Sequence, residues 1–138
     1  MILIIRISGD VEIRKDLKET LFRMRLRRKY SAVLMQDNEV TQDLLAKTRN
    51  FVAYGTINKE MLSELLSKRG QAIAGKKMDV KGAIENIEKK SLEEFGMKPF
   101  FRLHPPRKGI DSKLFAGNKK GVLGDNKEKI NDLLGRML

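Results

Sequence analysis

MILIIRISGD, residues 1–10, opens the chain with a short isoleucine-rich run that Gly9-Asp10 punctuates. A run so short, apolar and bounded by turn residues reads as a buried strand over Met1–Ser8. From Arg14 onward, Leu17, Leu21 and Met24 recur at helical spacing, with Phe22 and Leu26 beside them. Ala32-Val33-Leu34-Met35 is a second strand ending in the turn-like Asp37-Asn38. Val40, Leu44 and Leu45 predict a second helix through about Thr48, and Phe51-Val52-Ala53-Tyr54 before Gly55 a third strand. The order is strand–helix–strand–helix–strand. One sheet with helices packed on one face would bury these runs, an α+β sandwich over residues 1–57.

Residues 58–98 read as a helical extension, more open than the first half. Asn58 caps a helix carrying Met61, Leu62, Leu65 and Leu66, and Gly70 after Lys68-Arg69 stops it. Asp79 precedes Val80, Ala83, Ile84 and Ile87 on one helical face. Ser91-Leu92-Glu93-Glu94 matches a capping box and predicts a short helical turn ending at Gly96. From Pro99 to about Leu123 no period is sustained, and a connection this long is usually functional or disordered. Ile130, Leu133, Leu134 and Met137 mark a last amphipathic helix. Residues 99–138 are thus a basic extended arm and C-terminal helix, part of the same single domain.

A chain of 138 residues supports one domain with one core. Its 29 Lys+Arg against 18 Asp+Glu leave a net charge of +11, a balance that favours nucleic acid or an anionic surface as partner. With no cysteine, disulfides, thiolate zinc sites and thiol catalysis are excluded. Arg6 breaks the opening apolar run after five residues, so neither a signal peptide nor a membrane span of about 20 apolar residues is expected. The expected location is the cytoplasm.

The only histidine, His104, lies in FFRLHPPRKGI (100–110), between Leu103 and Pro105. A general base needs an orienting partner and a metal needs further ligands. Neither is in sight, so His104 is expected to pack on the fold or stack on a base. GQAIAGKK (70–77) nearly matches a phosphate-binding loop, but Lys77 stands where a magnesium-holding hydroxyl belongs, and Gly70 closes a helix instead of following a strand. What survives is a loop with Lys76 and Lys77 at its tip.

RMRLRRK (23–29) puts five cations into seven residues at the end of the first helix. One or two would suit the helix dipole; five repel one another unless a polyanion is near. Arginine also offers the two-pronged geometry that phosphate accepts. The arm carries six more cations, Arg102, Arg107, Lys108, Lys113, Lys119 and Lys120, against the single acid Asp111. Phe100, Phe101 and Phe115 are interleaved with them. Such aromatics either stack bases while the cations hold phosphates, or anchor the arm to the protein's own core. Pro105-Pro106 pre-extends the backbone, which lowers the entropy lost on docking.

Taken in order, IRISGDVEIRKDLKETLFRMRLRRKYSAVLMQD (5–37), FVAYGTIN (51–58), LLSKRG (65–70), FRLHPPRKG (101–109) and EKINDLLGRML (128–138) resemble the large-subunit ribosomal protein L-thirty family in its archaeal and eukaryotic form, the eukaryotic L-seven. The resemblance runs over nearly the whole chain. It implies a ferredoxin-like three-stranded antiparallel sheet, β-α-β-α-β of order 3-1-2, with C-terminal helical and extended additions lying on RNA. It implies a structural constituent of the large ribosomal subunit, with no catalysis. The implied partners are large-subunit ribosomal RNA, with the small 5S RNA nearby, and neighbouring ribosomal proteins. Similar proteins usually carry Thr-Pro and then Arg-Gly-Met near the second helix. This chain has Asn38-Glu39 and Thr41-Gln42-Asp43 there, so no RNA contact is expected from that helix start.

The expected RNA contacts are Arg25, Arg27, Arg28 and Lys29 in the loop, and Arg102, His104, Arg107 and Lys108 in the arm. Arg6, Arg14, Lys15 and Arg49 near strand ends and turns come next, with Lys113, Lys119 and Lys120. No catalytic residue, cofactor, metal, small-molecule substrate or membrane is expected. One rival is a free RNA-binding or ribosome-assembly factor of the same shape. The other is a small acylphosphatase-like hydrolase, against which Asp10 places an acid where phosphate would have to be cradled.

Overall fold

The computed structural model describes residues 1–9, 13–77, 79–87, 89, 92–107, 109, 112–115 and 121–138, with the backbone alone at 112–115, 121 and 122. Strands β1 (Ile2–Arg6), β2 (Ser31–Met35) and β3 (Val52–Thr56) alternate with helices α1 (Lys15–Arg23) and α2 (Glu39–Thr48). There follow α3 (Lys59–Arg69), α4 (Val80–Asn86), a 3-10 turn at Leu92–Phe95 and β4 (Phe101–Arg102). The chain closes with β5 (Ser112–Phe115), β6 (Gly121–Asp125), a 3-10 turn at Lys127–Lys129 and α5 (Ile130–Met137). It is an α+β protein with a mixed sheet.

Among the described residues the sheet has six strands in the order β4-β2-β1-β3-β6-β5, so it is wider than the three strands expected. β1 lies between β2 and β3 and is antiparallel to both, Ile4 facing Val33 on one side and Tyr54 on the other. β4 pairs with β2 at Ser31 and Ala32, and β6 runs parallel to β3. These added strands escape periodicity for a physical reason. β4 is two residues long, and GVLGD in β6 is poor in the β-branched and aromatic residues that favour strands. Their pairing is dictated by the edges of β2 and β3, which present unpaired backbone groups.

Helices cover both faces of the sheet, not one. Ile2 and Ile4 join Leu21, Leu26, Val33, Leu45 and Val52 in a cluster beneath α1 and α2. Leu3, Ile5 and Ile7 point the other way, into a cluster with Leu65, Leu66, Ala83, Ile130 and Leu134 from α3, α4 and α5. The second half of the chain is therefore the opposite cover and is not open. This explains why MILIIRI has no polar alternation, since a strand covered on both sides is apolar at both parities. Each of these Leu, Ile and Val side chains contributes roughly 1.5–3 kcal/mol on burial.

Asparagine and aspartate side chains cap the helices, at Asn58 as expected and at Asp79 and Asn38 besides. Asn58 Oδ1 accepts the Met61 N–H at 2.8 Å, Asp79 Oδ1 the Gly82 N–H at 3.0 Å, and Asn38 Oδ1 the Thr41 N–H at 2.9 Å. The turn at Leu92–Phe95 ends at Gly96, whose φ is +75°; its expected cap, Ser91, lies outside the described residues. Starting α2 at Asn38 turns Thr41, Leu45 and Thr48 inward and leaves Val40 68% exposed, so Val40 is not a core residue. Thr48 satisfies its buried hydroxyl by donating to the Leu44 carbonyl at 2.9 Å. At Gly55 an added Cβ would run into the Lys127 carbonyl and lie 2.9 Å from Ile130 Cβ, so glycine lets the start of α5 rest on β3.

Candidate nucleic-acid interface

Strand polarity gathers the cations. Arg6 at the end of β1 pairs with Val52 at the start of β3, and Ala32 near the start of β2 pairs with Ile5. The loop before β2 therefore lies at the same end of the sheet, as does β4, whose Arg102 pairs with Ser31. At this end sit the basic loop, residues 25–29, and the arm from Phe100 onward.

The end of α1 shapes the loop. The Leu26 N–H donates to the Leu21 carbonyl at 2.9 Å and the Arg25 N–H to the Phe22 carbonyl at 3.1 Å, a Schellman motif. Its left-handed position usually holds glycine, yet here it is Arg25 at φ +63°. Met24 and Leu26 are buried, while Arg23, Arg25, Arg27, Arg28 and Lys29 are exposed. RMRLRRK thus alternates apolar anchors with solvent-facing cations.

Arg6 is a correction to the expected contacts. It is only 2% exposed. Its parity matches Ile2 and Ile4, which aims the side chain at the face beneath α1. There Nη1 donates to the carbonyls of Leu26 at 2.8 Å and Arg27 at 3.0 Å, and Nε to that of Ser8 at 2.9 Å. A buried cation must be satisfied in this way. The sequence signal was present, a cation between Ile5 and Ile7 in an otherwise apolar run, but it pointed inward. Arg6 holds the loop from beneath. Tyr30, at φ +67°, completes the fastening: its N–H donates to the Arg6 carbonyl at 2.7 Å and its carbonyl accepts from the Leu103 N–H at 3.0 Å.

The arm does have a period, over a short span. Phe101 and Leu103 are buried, Arg102 and His104 exposed, as two-residue alternation requires. Phe101 is a core residue; Phe100 is half-buried and faces the opposite cluster. Further on, the His104 N–H donates to the Met137 carbonyl and the Arg107 N–H to the Arg136 carbonyl, both at 3.0 Å. These are carbonyls that the end of α5 leaves without helical partners, so the arm caps the helix while His104 and Arg107 stay exposed.

Loop and arm meet in a hollow of about 330 Å³ whose walls include Arg25, Arg27, Arg28, Phe100, Arg102 and Glu93. The Arg102 guanidinium lies 5.7 Å from the Phe100 ring centroid, and that of Arg27 lies 4.1 Å from the Phe22 centroid. Phe22 is 52% exposed, so it belongs to this surface and not to the core. Arg25 pairs with Glu93 at 3.4 Å with both side chains half-exposed, a contact worth little in water.

The other expected contacts are dispersed. Arg14 and Lys15 begin α1, at the end away from the loop, and Arg14 pairs with Asp16 at 3.2 Å. Arg49 follows α2, exposed, near Tyr54; burial and then Asp125 push the Tyr54 hydroxyl pKa upward, and Arg49 partly offsets them. Lys108, Lys119 and Lys120 lie outside the described residues, as does the side chain of Lys113. Among the described residues no group of three or more His, Asp and Glu is placed to hold a metal ion, and no helix is long and apolar enough to cross a membrane.

A mixed sheet covered on both sides, with exposed arginines converging at one end, defines a small basic α+β protein with a preformed cationic surface. No family model matches the chain. It is 35% identical to the large ribosomal subunit protein uL30 of Nanoarchaeum equitans, covering 98% of this chain and 97% of that protein. It is 33% identical to uL30 of Methanobrevibacter smithii over the full length of both, and 36% identical to uL30 of Aeropyrum pernix over 98% and 97%. The chain belongs to the uL30 family of large ribosomal subunit proteins, the L-thirty family of the sequence resemblance.

Proposed function

We propose that this chain is a structural constituent of the large ribosomal subunit and binds ribosomal RNA through the loop–arm end of its sheet. The observation that carries this reading is the convergence of Arg25, Arg27, Arg28 and Arg102 on one hollow, exposed and held by backbone hydrogen bonds that the fold supplies. Lys29, His104 and Arg107 extend the same surface, and Lys108 continues it in sequence. Arg14, Lys15 and Arg49 are secondary contacts, and Lys113, Lys119 and Lys120 further ones. Arg6 acts from inside. Counterion release from so many cations makes the affinity steeply salt-dependent.

The antiparallel centre β2-β1-β3 with α1 and α2 on one face supports a ferredoxin-like core of order 3-1-2. The remaining elements are additions to its free edges and its second face. The role is architectural and not enzymatic, in the cytoplasm, with neighbouring ribosomal proteins and the 5S RNA region as surroundings. Sedimentation of cell extract in moderate salt tests the proposal. A subunit constituent cosediments stoichiometrically with large subunits; recovery only in light fractions would indicate a free RNA-binding or assembly factor.

A further inference from the structure

The hollow holds a feature that phosphate binding leaves unexplained. Glu93 stands in its wall among the arginines, and a carboxylate there repels a phosphate placed inside. The hollow is also concave and carries a half-buried ring, Phe100, with the Arg102 guanidinium 5.7 Å from the ring centroid. Its volume of about 330 Å³ falls at the low end of the ~300–1,000 Å³ typical of small-molecule sites. A paired RNA stem keeps its bases stacked, with only their edges showing in its grooves, and offers no free base face to a ring inside a hollow.

We infer that the hollow between the basic loop and the arm receives a single unpaired RNA nucleotide, its base against Phe100 and Arg102 and its flanking phosphates on Arg27 and Arg28. A base is uncharged, so it tolerates Glu93, whose oxygens and the Ser31 hydroxyl supply hydrogen-bonding groups at the same wall. Flat rings and guanidinium planes are what unstacked bases bind. The pair Arg25–Glu93, half-exposed and weak, opens at little cost to let the base in. The inference rests on the RNA-binding reading and adds to it which kind of RNA the site takes.

The test uses the full chain and two RNA hairpins that differ only by one bulged adenosine in an otherwise paired stem, compared at fixed salt. The bulged hairpin binds about tenfold tighter, the order expected for one base stacked on an aromatic ring. Phe100→Leu, which keeps an apolar side chain in the packing, removes most of that preference. Arg102→Gln, at an exposed position, lowers it independently should the Phe100 variant lose its circular-dichroism signature. Equal, salt-sensitive affinity for both hairpins overturns this inference and leaves the proposed function standing. A preference that survives both substitutions overturns it too, and binding to neither hairpin overturns both readings.

Discussion

Replacing Arg6 by methionine separates holding the basic loop from touching RNA. Among the described residues the side chain donates to the carbonyls of Ser8, Leu26 and Arg27. Methionine fills similar space but donates nothing. Leaving the Leu26 and Arg27 carbonyls without that donor costs about 1–3 kcal/mol each. Relief from burying a charge returns part of this, because an apolar residue in place of a buried ion avoids its desolvation. The net loss is roughly 2–4 kcal/mol, a large share of the ~5–15 kcal/mol that holds a domain together. With a urea slope of about 2 kcal/mol/M, the unfolding midpoint falls by about 1–2 M. Arg6→Lys does little better, since a single ammonium cannot reproduce the fork that spans two carbonyls. RNA titrations on the still-folded variant complete the assay. Affinity drops because the loop is no longer held, but the slope of log affinity against log salt stays that of the parent, since no phosphate contact has gone. A midpoint within about 0.3 M of the parent, or a slope shallower by about 1, would refute the argument.

Arg25→Gly relieves the left-handed backbone and raises stability by about 1 kcal/mol in urea unfolding, while RNA affinity falls; unchanged stability would mean Arg25 is not strained there. Phe101→Ala costs about 3–5 kcal/mol, whereas Arg102→Ala, one residue on, stays within about 0.5 kcal/mol of the parent. The reverse pattern would place Phe101 outside the core. Tyr54 has its hydroxyl pKa raised by burial and by Asp125. The neutral form is thus favoured by folding, and its contribution is complete below the unfolded value near 10 and lost as pH rises through the folded value. Stability measured across alkaline pH falls for the parent, and Tyr54→Phe removes that part of the fall.

Much of the fold was legible because it is local. The strand–helix order through Thr56, the cap at Asn58 and the inward face of α5 depend on residues a few positions apart, which periodicity and capping chemistry report directly. Val40 misled because its apolar character fits the helical spacing while α2 turns Thr41 inward instead. The arm's alternation from Phe101 to His104 was present in the sequence but too short to stand out.

By itself, the sequence determined where the cations are and that β1 is buried, since charge and hydrophobicity belong to residue types. Only the tertiary structure decided what each cation does. Arg6 and Arg25 look alike in a string of letters. One ends among carbonyls twenty residues away in sequence, and the other faces Glu93 across a 68-residue separation. Those distances are closed by strand pairing and by the packing of both faces, neither of which any local pattern encodes. The same pairing brings Phe100 and Arg102 to the end of α1, where a basic loop and a basic arm become one surface.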